Sequence, residues 1–226
     1  MAMFSDSSAA PSELEDYKKS LIAKHKQPLT KHMGDLPAAT AAHVVRVKDW
    51  VQLPERELGI KVDVVAQRGQ IPLSQIPAQG LPQYGQSLNA LTLGDRIVLL
   101  ANAIETHEQA LAAYRQEVVG RYGVRLLLGK RLSGVAQQVF DSLGEARLAY
   151  LNEQLGFTFD WADTQDQQAA ALEHIARLAA VGRSVNRVQR RLSFYRAVAR
   201  FIGWHQPWTH DDLCVLIDRA RRTLSA

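Results

Sequence analysis

The chain has 226 residues, with 46% hydrophobic and 22% charged side chains, enough apolar content for a core in one large or two small domains. Its net charge of +4 and pI of about 9.3 bear on partners and solubility, not on fold. A single cysteine, Cys214, excludes an internal disulfide and a thiolate zinc cluster, and no apolar run approaches the roughly 20 residues that span a bilayer, so a cytoplasmic protein is expected.

Residues 1–12 read as a disordered leader, because "MAMFSDSSAAPSE" lacks the basic and then apolar stretches of a secretory signal. The segment Glu13–Lys26 is helical in pattern, acids first and lysines last, and Pro28 ends it. A second helix is expected over Ala38–Val51, where Val44, Val47 and Val51 recur at helical spacing. Ile60–Ala66 alternates apolar and polar residues and is the one convincing strand. A lone strand needs a mate for its backbone groups. The same strand of a second subunit would serve, giving an intersubunit β-ribbon and a homodimer; short extended pieces near Gly69–Leu73 or Leu88–Leu91 are the alternatives.

Residues 13–70 thus form an N-terminal unit of helices and one strand, and residues 71–90 divide it from the rest. Three pentads begin Ile71-Pro72, Ile76-Pro77 and Leu81-Pro82, a spacing that continues neither helix nor sheet. They read as an ordered linker or as an arm that wraps a protein partner.

Residues 91–226 read as a helical domain. Thr92 or Asp95 caps a helix running to about Val119, and "GRYG" at Gly120–Gly123 breaks it. A second long helix over Val124–Leu155 completes an antiparallel hairpin, with Gly129, Gly134 and Gly144 as places for a kink or split. A helix over Thr164–Val181 ends at Gly182, and Ser184 can cap the next, which reaches about Ile202. Thr209 caps the last helix, which starts acidic at Asp211 and Asp212 and ends basic at Arg219, Arg221 and Arg222. The expected fold is mainly α: a helical bundle with a long antiparallel hairpin and at most one or two short strands.

Catalytic signatures are sparse. The sequence has no nucleophile elbow, P-loop, dinucleotide fingerprint or H-E-x-x-H, so neither an enzyme nor a cofactor is expected. His205 and His210 stand five apart across a proline turn, poor spacing for a metal, and Asp160, Asp163 and Asp166 are better suited to capping a helix. The arginines are another matter. "GRSVNRVQRRLSFYRAVAR" (Gly182–Arg200) holds six of them and no acid. At 100° per residue, Arg183, Arg187, Arg190 and Arg191 share a sector of roughly 100°, with Val185, Val188, Leu192, Tyr195 and Ala199 opposite.

Helix, glycine turn and arginine-rich helix is the order of a helix-turn-helix, whose second helix enters the major groove. Under that reading Ser184, Asn186 and Arg187 lie near base edges, Arg190 and Arg191 meet phosphate of double-stranded DNA, and Arg183 shares the DNA-binding face. The alternatives are a solvated bundle face, RNA or an acidic protein. Arg115, Arg121, Arg125, Lys130 and Arg131 around the expected hairpin turn either extend the basic surface or form an ordinary solvated junction.

The last 60 or so residues resemble a family encoded on integrating conjugative elements and conjugative plasmids, which includes AcaB-type transcriptional activators. The likeness rests on Asp166, the helix to Gly182-Arg183, "YRAVARF", and "WTHDDLCVLIDRARRTL". It implies a dimeric DNA-binding regulator of a mobile element and assigns no contact residues. The competing reading is a helical interaction or scaffold subunit of a larger assembly.

Overall fold

A computed structural model describes residues 37–71, 89–93, 96–155 and 160–225. The leader, the Glu13–Lys26 helix, the proline pentads from Pro72 onward and "GFTF" at 156–159 lie outside the described residues.

The fold is mainly α, with one small sheet. Helix α1 (Ala41–Leu58) starts where the Thr40 side chain accepts the His43 amide, and stops at Gly59, whose φ of 69° suits glycine alone. It runs two turns beyond Val51, through Pro54, and buries Val47, Val51 and Leu58. Strand β1 (Asp63–Val65) is the centre of the expected strand. Its mate lies within the chain, so the β-ribbon argument for a dimer falls. β1 pairs in parallel with β3 (Arg96–Leu100), Val64 opposite Leu99, and β3 pairs in antiparallel with β2 (Ala90–Leu93). Three short strands therefore stand among the described residues, where at most one or two were expected in the mainly α fold, and β3 occupies residues assigned to a helix from Thr92 or Asp95. As the central strand it buries Ile97, Val98, Leu99 and Leu100, which is why its apolar run does not alternate.

The true start of that helix is Thr106. Its hydroxyl and Gln109 form a capping box, opening α2 (His107–Tyr114). The chain then continues without a break as a π-helix (Arg115–Gly123) and as α3 (Val124–Leu128). "GRYG" ends nothing. A Cβ on Gly120 would stand 2.6 Å from the Cα of Ala176, so the glycine is there to let two helices cross closely. The expected long second helix is split at Gly129 (φ 50°) and again at Gly144, but not at Gly134, into α3, α4 (Leu132–Asp141) and α5 (Glu145–Leu155).

Helix α6 (Thr164–Val181) matches expectation, with Asp163 as its cap and Gly182 (φ 67°) at its end. Asp160 and Asp166 belong to the same turn: Asp166 accepts the Asp160 amide and Asp160 accepts that of Ala162. The core joins α1, the sheet, α2, the π segment, α4, α6 and α8 (His210–Leu224). Tyr114 lies at its centre, fully buried, and its hydroxyl donates to the carbonyls of Pro54 and Ile60. Burial, then Glu55 and Glu57, push that phenol upward from its ordinary range.

One ion network threads this core. Glu117, on the π segment, takes hydrogen bonds from Thr92 and Arg121, and Arg121 also reaches Glu173 on α6 at 2.5 Å. Arg177 completes the set at 2.9 Å from Glu173. Arg121, expected at the surface, is thus partly buried in this network. No helix among the described residues is long and apolar enough to cross a membrane.

Candidate nucleic-acid interface

The arginine-rich helix, α7, spans Arg187–Phe201. Its cap is Asn186 rather than Ser184: the Asn186 side chain accepts the Gln189 amide, and the Gln189 side chain returns to the Asn186 amide. Arg183 and Ser184 therefore precede the helix, in a stretch without regular structure. At the far end Gly203 (φ 87°) carries a Schellman turn, with the amides of Gly203 and Trp204 bonding back to Arg200 and Ala199.

The helix rests on α8, not on α6, so α6 and α7 do not build the mutually packed pair of a helix-turn-helix. The two faces of α7 are also not disposed as the spacing implies. Val188, Leu192 and Tyr195, expected inside, are exposed, and only Val185 of that set is buried. The side turned to α8 is polar: Gln189, Arg190, buried Ser193, Arg196 and Arg200. The cause is the chemistry of α8. Asp211 accepts from Gln189, Asp212 takes the Arg196 Nε at 3.0 Å on both oxygens and Arg200 at 3.4 Å, and Asp218 meets Arg190 at 3.3 Å.

Asp212 is fully buried and central to this contact. It closes the capping box of α8 with Thr209, and Arg200, beside it, stacks over the Trp208 ring at 4.4 Å. Burial alone pushes its carboxyl upward, but hydrogen bonds from Thr209, Ser193 and Arg196 outweigh this and hold it below the usual range. Arg196 and Arg200, which the spacing puts off the four-arginine sector, are the two that pair here.

The remaining arginines are distributed as follows. Among the described residues Arg183 meets the His210 ring, at 3.1 Å. Arg187, on the first turn, is exposed and has no partner among the described residues. Arg190 is shared with Asp218, which also holds Arg221 and Arg222, and its Nε is buried without a hydrogen bond. Arg191 is exposed, beside the Tyr195 hydroxyl at 3.4 Å and 5.9 Å from its ring centroid. Arg115 joins them from the π segment: its guanidinium lies against Gly182, where an added Cβ would come within 2.8 Å.

Charge counting sharpens the picture. From Arg183 to the C-terminus there are nine arginines, no lysines and three acids, a net of +6 in a chain whose total is +4. The surplus is thus confined to this unit, and the rest of the chain sums to −2. Of the arginines expected on the basic face, only Arg190 has a carboxylate partner among the described residues. Arg125, Lys130 and Arg131 are exposed on other turns.

A cleft of about 520 Å³ opens beside Arg183, lined among others by Arg147, His174, His210 and Cys214, and by no acid. The His174 Nδ1 accepts from Arg147, and burial, then Arg147 and His210, bring this ring down to about 4, so it is neutral at physiological pH. Burial pushes the Cys214 thiol up, which opposes thiolate chemistry despite His210 at 3.6 Å. The roles of His174 and of the α8 aspartates toward α7 do not stand out in sequence, because the partners concerned lie 12 to 28 residues away.

No family model, curated protein or solved structure matches the chain.

Proposed function

We propose that the protein binds double-stranded DNA through the N-terminal end of α7, as a regulator of a bacterial mobile element. The observation that carries this reading is the unbalanced charge of the α7–α8 unit. Its three aspartates are all engaged within the unit, and Arg183, Arg187 and Arg191 remain outside any carboxylate pairing among the described residues. A cluster of guanidinium groups at the start of a helix is suited to phosphate, where the helix dipole adds to the attraction. In this reading Arg187 and Arg191 supply affinity, and Arg183 and Ser184, just before the helix, meet base edges. The Asn186 oxygen is committed to the cap, so its part in reading DNA is limited to its amide nitrogen. The mobile-element assignment rests on the C-terminal resemblance alone.

Fluorescence anisotropy with random and promoter-derived duplexes tests the reading. Affinity should fall linearly on a log scale with salt, by about 0.9 per phosphate contact. Absence of binding at low salt contradicts it. The scaffold alternative gains from a different feature of the same helix, the apolar character of its outer side.

A further inference from the structure

The second half of α7 is apolar on the side facing away from α8. Phe194, Tyr195, Val198, Phe201 and Ile202 are 54%, 54%, 41%, 91% and 57% exposed, and Trp204, just beyond the Schellman turn, is 66% exposed. Arg196 and Arg200 turn inward to Asp212, and Arg191 borders the face against Tyr195. Val188 and Leu192 prolong the surface toward Arg187 and Arg191. A helix that spends its charged side on intramolecular ion pairs and leaves its apolar side in water gains little from the first and loses by the second. Monomers rarely leave a contiguous apolar patch of this size bare.

We propose that this face is a homodimer interface, in which the α7 helices of two copies pack antiparallel about a two-fold axis near Val198. Three arguments select a second copy. The first is size: a standard interface covers about 800 Å² per partner, and covering a large aromatic buries roughly 150–250 Å², so four aromatics and four aliphatic residues at these exposures suffice. The second is charge. A parallel pair would bring Arg187 and Arg191 against their own copies, whereas an antiparallel pair sends them to opposite ends. There Arg191 meets the end of the other helix near Trp204, an aromatic face that attracts guanidinium. The third is isologous fit, since a stripe running along one straight helix complements itself across a two-fold axis.

The dimer stands apart from DNA binding and survives its failure. Where both hold, the geometry couples them. At a rise of 1.5 Å per residue, two Arg187 residues each eleven positions from the axis lie about 33 Å apart along the helices. That is close to the spacing of about 34–36 Å between successive major-groove half-sites on one side of a duplex.

Sedimentation velocity on the full chain, from low to high micromolar concentration and without DNA, tests the proposal. The wild type should sediment as a dimer, and Val198→Glu/Phe201→Glu should weaken association at least ~100-fold with an unchanged far-ultraviolet circular dichroism spectrum. If that variant fails to fold, Val198→Cys in a Cys214→Ser background decides, because residues at the axis should oxidise to a disulfide-linked dimer. A wild type that is monomeric throughout overturns the proposal, whether residues 1–36 or a nucleic acid cover the face instead. So does a dimer that the double substitution leaves intact, or a Val198→Cys chain that does not cross-link.

Discussion

In the core, Arg121 and Arg177 face Glu117 and Glu173, cation for anion; Asp212 and Asp218 of α8 face five arginines, three from α7 and two from α8 itself. The first set is closed: each carboxylate is at most 4% exposed and every charge has its opposite in reach. The second holds two helices together with fewer anions than cations, on a unit where still further arginines point outward. Burial of charge therefore serves structure in one region. In the other it orients a helix whose remaining arginines stay exposed.

Breaking the closed set should have the largest effect on stability. Arg121→Ala leaves Glu117 and Glu173 buried without their shared cation, and about 3–5 kcal/mol of unfolding free energy should be lost in urea denaturation. In the open set Asp212→Ala should cost less, about 2–3 kcal/mol, because Arg196 and Arg200 keep partial access to water and other partners. The two sets also differ in pH response. The Asp212 carboxyl is held below its ordinary range, so its contribution is present above the usual carboxylate value and lost as pH falls through the depressed one. The deficit of Asp212→Ala relative to wild type should accordingly shrink in acid. Burial raises Glu117, so its contribution runs the other way and declines as pH rises through the raised value. Thr209→Ala, which removes only the cap beneath Asp212, should cost about 1 kcal/mol in the same urea titration.

The helices that announce their ends locally were legible in the sequence. Gly182 and Thr209 bound α6 and α8 because a left-handed glycine and a capping hydroxyl act within a few residues of themselves. The failures share one cause, a partner distant in sequence. "RIVLL" is short and apolar throughout, and only β1 and β2 on either side of it make it a strand. "GRYG" has the composition of a break, yet Ala176, more than 50 residues on, turns Gly120 into a crossing point. In α7 the side that turns inward was not legible, because Asp212 and Asp218 on the next helix draw in Arg190, Arg196 and Arg200 and leave Val188, Leu192 and Tyr195 exposed. Arg183, Arg187 and Arg191 stay exposed, while Arg190 is drawn toward α8.

The comparison is tested most directly by one duplex-binding series at constant temperature with wild type, Arg187→Ala/Arg191→Ala and Arg177→Ala. The account predicts that the outer double variant keeps its stability but binds more weakly, with a salt slope shallower by about 2. Arg177→Ala, taken from the closed set, should melt earlier and bind as wild type does. Equal affinity and equal salt slope in all three proteins would contradict it.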